Sequence, residues 1–512
     1  MLEHPLIKKL SHGIEYFQIK TAPLYPLGAM FVLVNFILLG IWYSTSYVFM
    51  DGEPSVAIVS YFFLKGKEIY PSLNSPFVIS LPNGPMLYIF HSIFFKLLGV
   101  NLLSAKIGGA VASISSLGLF FIALRQRISN RLSLLVTGYM ALILIQFMPF
   151  PFWSRPDPYV IFFVALALGV ATHPTSYVAW PLTGLALGMS IALRLSSGIY
   201  FVPILALLWN HHGSPRVALA LISGLAWSFT PFLLFSNLSL ENYFSAMSLI
   251  AKGGLRGQVL IENAVFFFKS LFLPVLCGLF FQTSSVKFMR QLICDNKLYV
   301  GALMVSTIGT AFICSKPGSD PNHLISLVFL YGYLFCLIGE NKEIRKSALV
   351  VIPMGAVLAG LVFFLLVSDF ITVPKGKGYD QFTRSAKMDL KEIMKRYPDA
   401  SIEMGCVNMN KINYVLTYLR PLLVFSGHPY FVDPHSLMDR ELGGRGFPQQ
   451  ATVRFKKRLT DIILIPVGGK PFDLISPYTG RPLFPREFIE AFYQNYYPVG
   501  QSNFYVIWKS KS

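Results

Sequence analysis

The sequence predicts a polytopic α-helical membrane protein that carries an α/β domain after its last span. Hydrophobic residues make up 54% of the 512 residues and charged residues only 13%, whereas ordinary soluble proteins contain about 25% charged residues. Apolar stretches near the roughly 20 residues that a bilayer crossing requires recur up to residue 371. Beyond that point polar and apolar residues alternate, which is typical of a compact extramembrane domain.

The apolar stretches predict about eleven transmembrane helices. The first, 27–49, contains no charged residue, and the residues before it show no site for signal-peptide cleavage, so we expect it to stay as an anchor. The other stretches lie near 101–124, 131–148, 157–172, 176–194, 198–210, 216–236, 263–282, 298–315, 323–339 and 347–371. Those at 157–172 and 198–210 are short for a full crossing, so the count is accurate to one or two.

The basic residues predict the orientation of these spans. If the N-terminus is cytoplasmic, the short loops on that side contain 13 Lys and Arg residues, as the positive-inside rule requires. They are Lys8, Lys9, Lys20, Arg125, Arg127, Arg131, Arg216, Lys287, Arg290, Lys297, Lys342, Arg345 and Lys346. The absence of an endoplasmic-reticulum retention tail favours a bacterial plasma (inner) membrane. The net charge of +18 is then explained by the orientation of the loops and by contact with anionic lipids, and it does not indicate nucleic-acid binding.

The sequence divides into two predicted domains, a transmembrane domain at 1–372 and an extracytoplasmic domain at 373–512. The second part contains no further long apolar run and has a surplus of cations over carboxylates. An amphipathic stretch predicts a helix at 383–396, and short apolar strings predict strands at 430–432, 461–466 and 504–508.

The first outer loop, 50–100, is too long for a simple connection. Pro54 and Pro85 are suited to the first turn of a helix, and the apolar segments that follow, 54–64 and 86–98, are too short to span. Tyr, Phe and Lys at the edges of these segments are typical of helices at headgroup depth, so we expect two interfacial helices.

Polar residues gather on the predicted outer side. Asp51 and Glu53 directly follow the first span and are either a solvated helix end or a catalytic pair at the lipid boundary. The same side holds the cations Lys65, Arg155, Arg194, Arg256 and Lys316, which could bind an anionic headgroup. No span has a clear charged residue at its middle, whereas an ion-coupled transporter usually needs one.

The order of these motifs resembles the GT-C membrane glycosyltransferases, in particular the dolichyl-phosphate-mannose protein mannosyltransferases and bacterial relatives such as the lipid A aminoarabinose transferases. The resemblance covers the layout of residues 27–340. It rests on the acidic motif, Gly66-x3-Tyr70, Pro82-x-Gly84-Pro85-x2-Tyr88, the segment 95–99 before the second span, Arg155-Pro-Asp157 and the segment 318–323. One departure is Gly52, which separates two acidic residues that are often adjacent in relatives and leaves the role of Glu53 open.

The resemblance implies a GT-C fold and transfer of a sugar from a polyprenyl-phosphate donor to an extracytoplasmic acceptor, with inversion at the anomeric carbon. Asp51 would be the general base, with Glu53 beside it in the catalytic motif. The five cations would bind the donor phosphate. Tyr70, Tyr88, His91, Asp157, Asn322 and His323 are the candidate substrate-binding residues. No cofactor is required, and no cluster with ligand spacing indicates a metal ion.

Each of these residues also has a structural interpretation. Arg155 could extend from a span end towards the headgroups, Asp157 could cap a helix, and the tyrosines and His91 could pack at the interface. At the level of function, a lipid-linked glycan flippase or secondary transporter predicts polar sites at the bilayer centre. A non-catalytic scaffold whose outer domain binds cell-wall polymer predicts instead that the loop 50–100 is dispensable and that the activity resides in 374–512. The expected partners of the enzyme are the sugar–lipid donor, membrane lipids and an acceptor that the sequence does not specify.

Overall fold

The computed structural model describes residues 24–50, 52–79, 83–276, 279, 293–319, 321–339, 372–409 and 412–511. Its α-helices are α1 Leu24–Thr45, α2 Glu53–Leu64, α3 Pro85–Leu98, α4 Leu102–Arg125, α5 Asn130–Gln146, α6 Pro156–Ala171, α7 Ser176–Leu193, α8 Val202–His212, α9 Ser214–Leu234, α10 Leu240–Ala251, α11 Gly257–Phe267, α12 Lys297–Cys314, α13 Leu327–Gly339, α14 Thr372–Arg396, α15 Arg420–Phe425, α16 Pro434–Leu442, α17 Gln449–Lys456 and α18 Arg486–Asn495. The strands are β1 Ile402–Met404, β2 Ile462–Pro466, β3 Tyr496–Gln501 and β4 Tyr505–Ser510.

The polytopic helical class is confirmed. Within the described ranges, seven helices are long and apolar enough to cross a membrane: Pro26–Thr45, Leu102–Arg125, Ser176–Leu193, Ser214–Leu234, Gly257–Leu276, Lys297–Cys314 and Pro321–Ile338. Two more predicted stretches form the shorter apolar helices α5 and α6. The stretch at 198–210 becomes a 3-10 turn followed by α8, because Pro203 opens a new helix there. The predicted last span, 347–371, lies outside the described residues.

Close packing of helix backbones shapes the transmembrane part. α7 and α9 approach closely at Gly188, where a Cβ atom would lie 2.4 Å from the carbonyl oxygen of Gly224. Small residues are the usual means of such contact between helices in lipid. The outward faces are apolar instead, with Phe31 71% and Leu233 83% exposed, as expected of surfaces that lipid covers.

Both helices predicted in the outer loop are present. α2 begins at Glu53 with Pro54 in its first turn, and α3 begins at Pro85. α2 packs along α3 and against α15 of the C-terminal part. Nearly all of α2 up to Phe62 is buried, so protein rather than solvent encloses this helix.

The C-terminal part contains a mixed four-stranded sheet in the order β1-β2-β4-β3, with β1 and β2 parallel and the other pairs antiparallel. Every residue of β2 is buried. Because side chains alternate between the two faces of a strand, Ile463 and Ile465 join the core with α17 and α18, while Ile462 and Leu464 join the core with α14.

The predicted strands at 461–466 and 504–508 correspond to β2 and β4, and the predicted helix at 383–396 is the second half of α14. The string at 430–432 instead makes a single parallel bridge between Val432 and Val78 of the outer loop. The Val78 N–H donates to the Phe431 oxygen at 2.8 Å, and the Asp433 N–H donates to the Val78 oxygen at 2.6 Å. The two parts of the chain are therefore joined by main-chain hydrogen bonds.

Candidate functional site

A cavity of about 370 Å³ lies where the ends of the transmembrane helices meet α16 of the C-terminal part. Its lining includes Gly52 before α2, Asn83 before α3, Arg155 before α6 and Arg194 after α7. The cavity therefore lies at one end of the helical bundle, which is the end that the sequence predicts to face outward. The remaining lining residues are Leu195, Ser196, Met247, Ile250, Ala251, Gly253, Ile313, Lys316, Pro317, Gly318, Ser319, His323, His435, Met438, Asp439, Leu442 and Tyr478.

A buried ion pair holds one wall of this cavity. Arg194 Nη1 lies 2.8 Å from Asp157 Oδ1, and the Asp157 side chain has no exposed surface. The same carboxylate accepts hydrogen bonds from Trp153 Nε1 and Asn322 Nδ2, both at 3.0 Å. Asp157 thus ties together four side chains, its own included, from three separate parts of the sequence.

Arg194 keeps donors for a ligand. Its Nε and Nη2 are buried and have no hydrogen-bond partner within the described part of the chain. A guanidinium is always charged in proteins, and unpaired buried donors cost free energy unless something accepts from them. An anionic ligand in the cavity would supply those acceptors.

Two further cations share the cavity. The Arg155 guanidinium lies over the Trp153 ring, 4.6 Å from its centroid, and its Nη1 is 3.8 Å from the place where a Cβ of Gly52 would be. Lys316 lies on the loop that follows α12, and His323 lines the same cavity. The structure therefore brings together three of the five predicted phosphate-binding cations.

The acidic motif is only partly described, because Asp51 lies outside the described residues. Glu53 is completely buried, and its carboxylate accepts hydrogen bonds from Tyr43 Oη at 2.6 Å, from the Met50 N–H at 2.6 Å and from the Ser154 N–H at 2.7 Å. These bonds fix the start of α2 against the segment that carries Arg155. The contacts of Glu53 are those of a positioning residue.

Lys106 supports this arrangement and was missed from the sequence. It is completely buried near the start of α4, and its Nζ donates to the carbonyl oxygens of Tyr43 at 2.5 Å, Ser46 at 3.2 Å and Val48 at 2.7 Å. Carbonyls at the end of a helix need such partners. A single lysine in a long apolar stretch was the available signal, but the stretch remains apolar enough to be predicted as a span.

Tyr70, Tyr88 and His91 pack next to the cavity lining. Tyr70 Oη donates to the carbonyl oxygen of Asn83 at 2.8 Å, and its ring contacts that of Tyr88 with centroids 6.2 Å apart. The His91 ring meets Tyr159 edge-on at 5.6 Å, and burial lowers the pKa of His91 to about 4. These contacts agree with the packing interpretation of the three residues.

Gly84 explains how the outer loop reaches the cavity. Its N–H donates to the carbonyl oxygen of Leu193 at 2.8 Å. A Cβ at this position would lie only 2.0 Å from the carbonyl oxygen of Ala192, so no other residue permits this approach. The contact places Asn83 beside Arg194.

The other two predicted phosphate-binding cations have different positions. Lys65 is exposed at the end of α2, and its Nζ is 5.6 Å from the centroid of the Tyr61 ring. Arg256 is exposed, and its Nη2 donates to the carbonyl oxygen of Tyr478 at 2.7 Å. Arg256 therefore fixes a lining residue from outside the cavity.

Sequence reasoning also missed the side chains that the C-terminal part contributes. His435, Asp439 and Tyr478 line the cavity although they lie more than 100 residues beyond the last transmembrane residue that does so. The available signal was Asp433-Pro434, a helix-start pair that would have placed α16 but not its contact. Among the described residues, no group of three or more His, Cys, Asp or Glu side chains could hold a metal ion.

No protein-family model matches this sequence, and no curated protein matches it. Among solved structures, the chain is similar to ArnT from Cupriavidus metallidurans bound to undecaprenyl phosphate, with a TM-score of 0.53 and 13% identity over 95% of this chain and 97% of that one. The apo state of the same protein gives a TM-score of 0.54 and 13% identity over 94% and 98%. An oligosaccharyltransferase from Archaeoglobus fulgidus gives 0.42 and 10% identity over 85% and 68%, which is too weak to define a fold. The likeness to ArnT along nearly the whole of both chains shows that this protein has the GT-C fold predicted from its motifs.

Proposed function

We propose that this protein is a membrane glycosyltransferase that moves a sugar from a polyprenyl-phosphate donor to an extracytoplasmic acceptor, with inversion. The observation that carries the proposal is the buried Arg194, which lines the cavity. Asp157 holds one of its nitrogens, and the other two have no hydrogen-bond partner among the described residues. Arg155 and Lys316 line the same cavity. This arrangement suits a phosphate ester at the end of a lipid.

The cations would act on the leaving group. As the bond between C1 of the sugar and the phosphate oxygen breaks, its electron pair stays with the polyprenyl phosphate. Donors already in place where this charge develops stabilise the transition state more than the ground state. Hydrogen bonds from guanidinium to phosphate are among the strongest that side chains form.

Asp51 would be the general base. Its carboxylate would take the proton of the acceptor nucleophile as that atom forms a bond to C1 from the face opposite the phosphate. A positioned base typically contributes about 10²–10⁴-fold. Glu53 is less suited to this role, because its two oxygens already accept three hydrogen bonds. Gly52, next to Asp51 in the chain, lines the cavity beside Arg155.

The similarity to ArnT supports the donor class, since the similar structure is bound to undecaprenyl phosphate. We expect an inner-membrane protein whose cavity and C-terminal domain face outward. The scheme assigns charge stabilisation to arginine and lysine side chains and uses no metal ion. EDTA treatment of the purified protein should therefore leave transfer unchanged.

The test is transfer of labelled sugar by the purified protein in nanodiscs, with a panel of undecaprenyl-phosphoryl hexoses and pentoses and an envelope extract as acceptor. Asp51→Asn should reduce turnover at least about 100-fold and leave the melting temperature unchanged. Glu53→Gln should mainly lower stability, by about 1–3 kcal/mol, because a buried hydrogen-bond network is broken. Asp399→Asn, the same chemical change at an exposed position of the C-terminal part, is the control.

Full turnover in the Asp51→Asn variant would remove the base assignment. If no sugar is transferred and the labelled lipid instead crosses the bilayer of proteoliposomes, the flippase alternative is correct.

A further inference from the structure

One face of α16 closes the cavity from the side of the C-terminal domain. His435, Met438, Asp439 and Leu442 all line it, and their spacing of three and four residues places them on one face of a helix. Tyr478 lines the cavity beside them, and Arg256 holds its main-chain oxygen. The four residues of α16 and Tyr478 are called the α16 wall below.

The described residues on the two sides of the cavity differ in chemistry. Arg155, Arg194 and Lys316 come from the transmembrane part. Among the described lining residues, the only carboxylate is Asp439, and it comes from the α16 wall. An anionic group is therefore expected on the transmembrane side, and a group rich in hydrogen-bond donors on the other.

The register of α16 is fixed by a buried anchor. Asp433 caps the helix, since its carboxylate accepts from the Ser436 N–H at 2.9 Å. The same carboxylate accepts from Tyr430 Oη at 2.5 Å and from Ser55 Oγ of α2. α2 begins directly after Gly52. The contact with Ser55 therefore fixes the position of α16 relative to the acidic motif.

We propose that the α16 wall is a subsite for the hydroxyl groups of a sugar ring, with Asp439 as the principal acceptor. A carboxylate has about four lone-pair sites, so Asp439 can accept from a sugar hydroxyl in addition to its contact within the protein, while imidazole and phenol groups both donate and accept. This inference rests on the proposed function, and the sugar belongs either to the donor lipid or to a glycan acceptor.

The experiment compares equilibrium binding of undecaprenyl phosphate, of the undecaprenyl-phosphoryl sugar panel and of soluble methyl glycosides by the full-length protein in nanodiscs. The variants are Asp439→Asn and Tyr478→Phe, with Asp399→Asn as the matched control. Asp439→Asn should weaken the binding of sugar-bearing ligands about tenfold, the loss expected when a charged acceptor is removed. The affinity for undecaprenyl phosphate should change less than twofold.

Two outcomes support the subsite and identify its occupant. Loss confined to the sugar lipids assigns it to the donor sugar, and loss confined to the methyl glycosides assigns it to the acceptor. Unchanged affinity for every sugar-bearing ligand would overturn the proposal. A loss of affinity for undecaprenyl phosphate as large as that for its sugar-bearing forms would also overturn the proposal. Asp439 would then affect the whole cavity and not the sugar.

Binding and transfer separate this inference from the proposed function. If Asp51→Asn abolishes transfer while Asp439→Asn leaves sugar binding intact, only the subsite fails. If the wild-type protein transfers no sugar but binds sugar-bearing ligands, and Asp439→Asn weakens that binding, only the transferase proposal fails.

Discussion

At the scale of single residues, Arg194 is held ready for a ligand by the same contact that makes its burial tolerable. Asp157 accepts from one nitrogen of the guanidinium and is itself anchored by Trp153 and Asn322. Burying a charge is costly unless it is paired and hydrogen-bonded. The pair meets that requirement on one edge of the guanidinium and leaves the other edge for the cavity.

We expect Arg194→Gln to weaken undecaprenyl phosphate binding by about 10- to 100-fold, because hydrogen bonds to charged groups contribute about 1.5–3 kcal/mol. Combining it with Lys316→Gln should weaken binding further. Equilibrium binding in nanodiscs measures both. Arg396→Gln, the same chemical change at an exposed position of the C-terminal part, is the control and should change affinity little. A folded Arg194→Gln variant with wild-type affinity would contradict the phosphate assignment.

His91 makes stability depend on pH. Burial lowers its pKa in the folded protein to about 4, whereas an unfolded histidine titrates near 6.5. Between these values the unfolded chain binds more protons, so the contribution is present above pH 6.5 and is lost as the pH falls towards 4, by on the order of 3 kcal/mol.

The measurement is thermal unfolding of wild-type protein and His91→Phe in one detergent from pH 7.5 to 4.5. Phenylalanine fills a similar volume and does not titrate, so the acid loss should be smaller in the variant. Identical pH profiles would show that another group causes the loss.

At the scale of elements, much of the fold follows from local sequence. Pro54 and Pro85 mark the starts of α2 and α3, and apolar length marks most of the spans. The string at 430–432 was expected to be a sheet strand, but it pairs only with Val78. Its apolar pattern is that of a strand, whereas its partner is set by the docking of two distant parts of the chain.

The candidate site, like the fold, was predictable in part. Arg155, Arg194 and Lys316 lie at helix ends on one predicted side, so loop order alone indicated that they could meet. Lys65 lies at a helix end on that side as well, yet it points to solvent, and topology gives no means of telling the two cases apart. His435 and Asp439 could not be found, because no sequence rule places a domain on a particular cavity.

The junction of α3 with α7 depends on Gly84. We expect Gly84→Ala to lower the melting temperature and to reduce transfer at least tenfold, because the new methyl group would overlap the carbonyl oxygen of Ala192. Gly118→Ala is the matched control, since nothing lies within 4 Å of a Cβ there and alanine favours a helix. Equal stability of the two variants would contradict this account of the junction.

At the scale of the whole molecule, the C-terminal part is attached along a continuous seam. The rings of Phe95 in α3 and Phe425 in α15 pack edge to face, with centroids 5.4 Å apart. Arg440 donates to the carbonyl oxygen of Leu73 at 2.8 Å. Asp433 adds a buried polar link, because its carboxylate accepts from Ser55 Oγ of α2. Because the cavity is formed between the two parts, its shape depends on this seam.

Ser55→Ala tests the seam without removing the helix cap. Asp433 would lose one donor, and we expect amide exchange in α16 to become about five- to tenfold faster, since a hydrogen bond contributes about 1 kcal/mol. Ser60→Ala is the control, because Ser60 lies on the same helix and donates within that helix, to the carbonyl oxygen of Val56 at 2.7 Å. If amide exchange in α16 is equally fast in the two variants, the Ser55 hydrogen bond does not stabilise α16.

The bridge between Val78 and Val432 has a consequence for how such a protein can diverge. Its bonds run between peptide groups, so side chains at these positions can be replaced without undoing the connection. A chimera in which a related C-terminal part is grafted after residue 372 could therefore still dock in the same alignment. Such tolerance agrees with a likeness to ArnT that spans nearly the whole chain at only 13% identity.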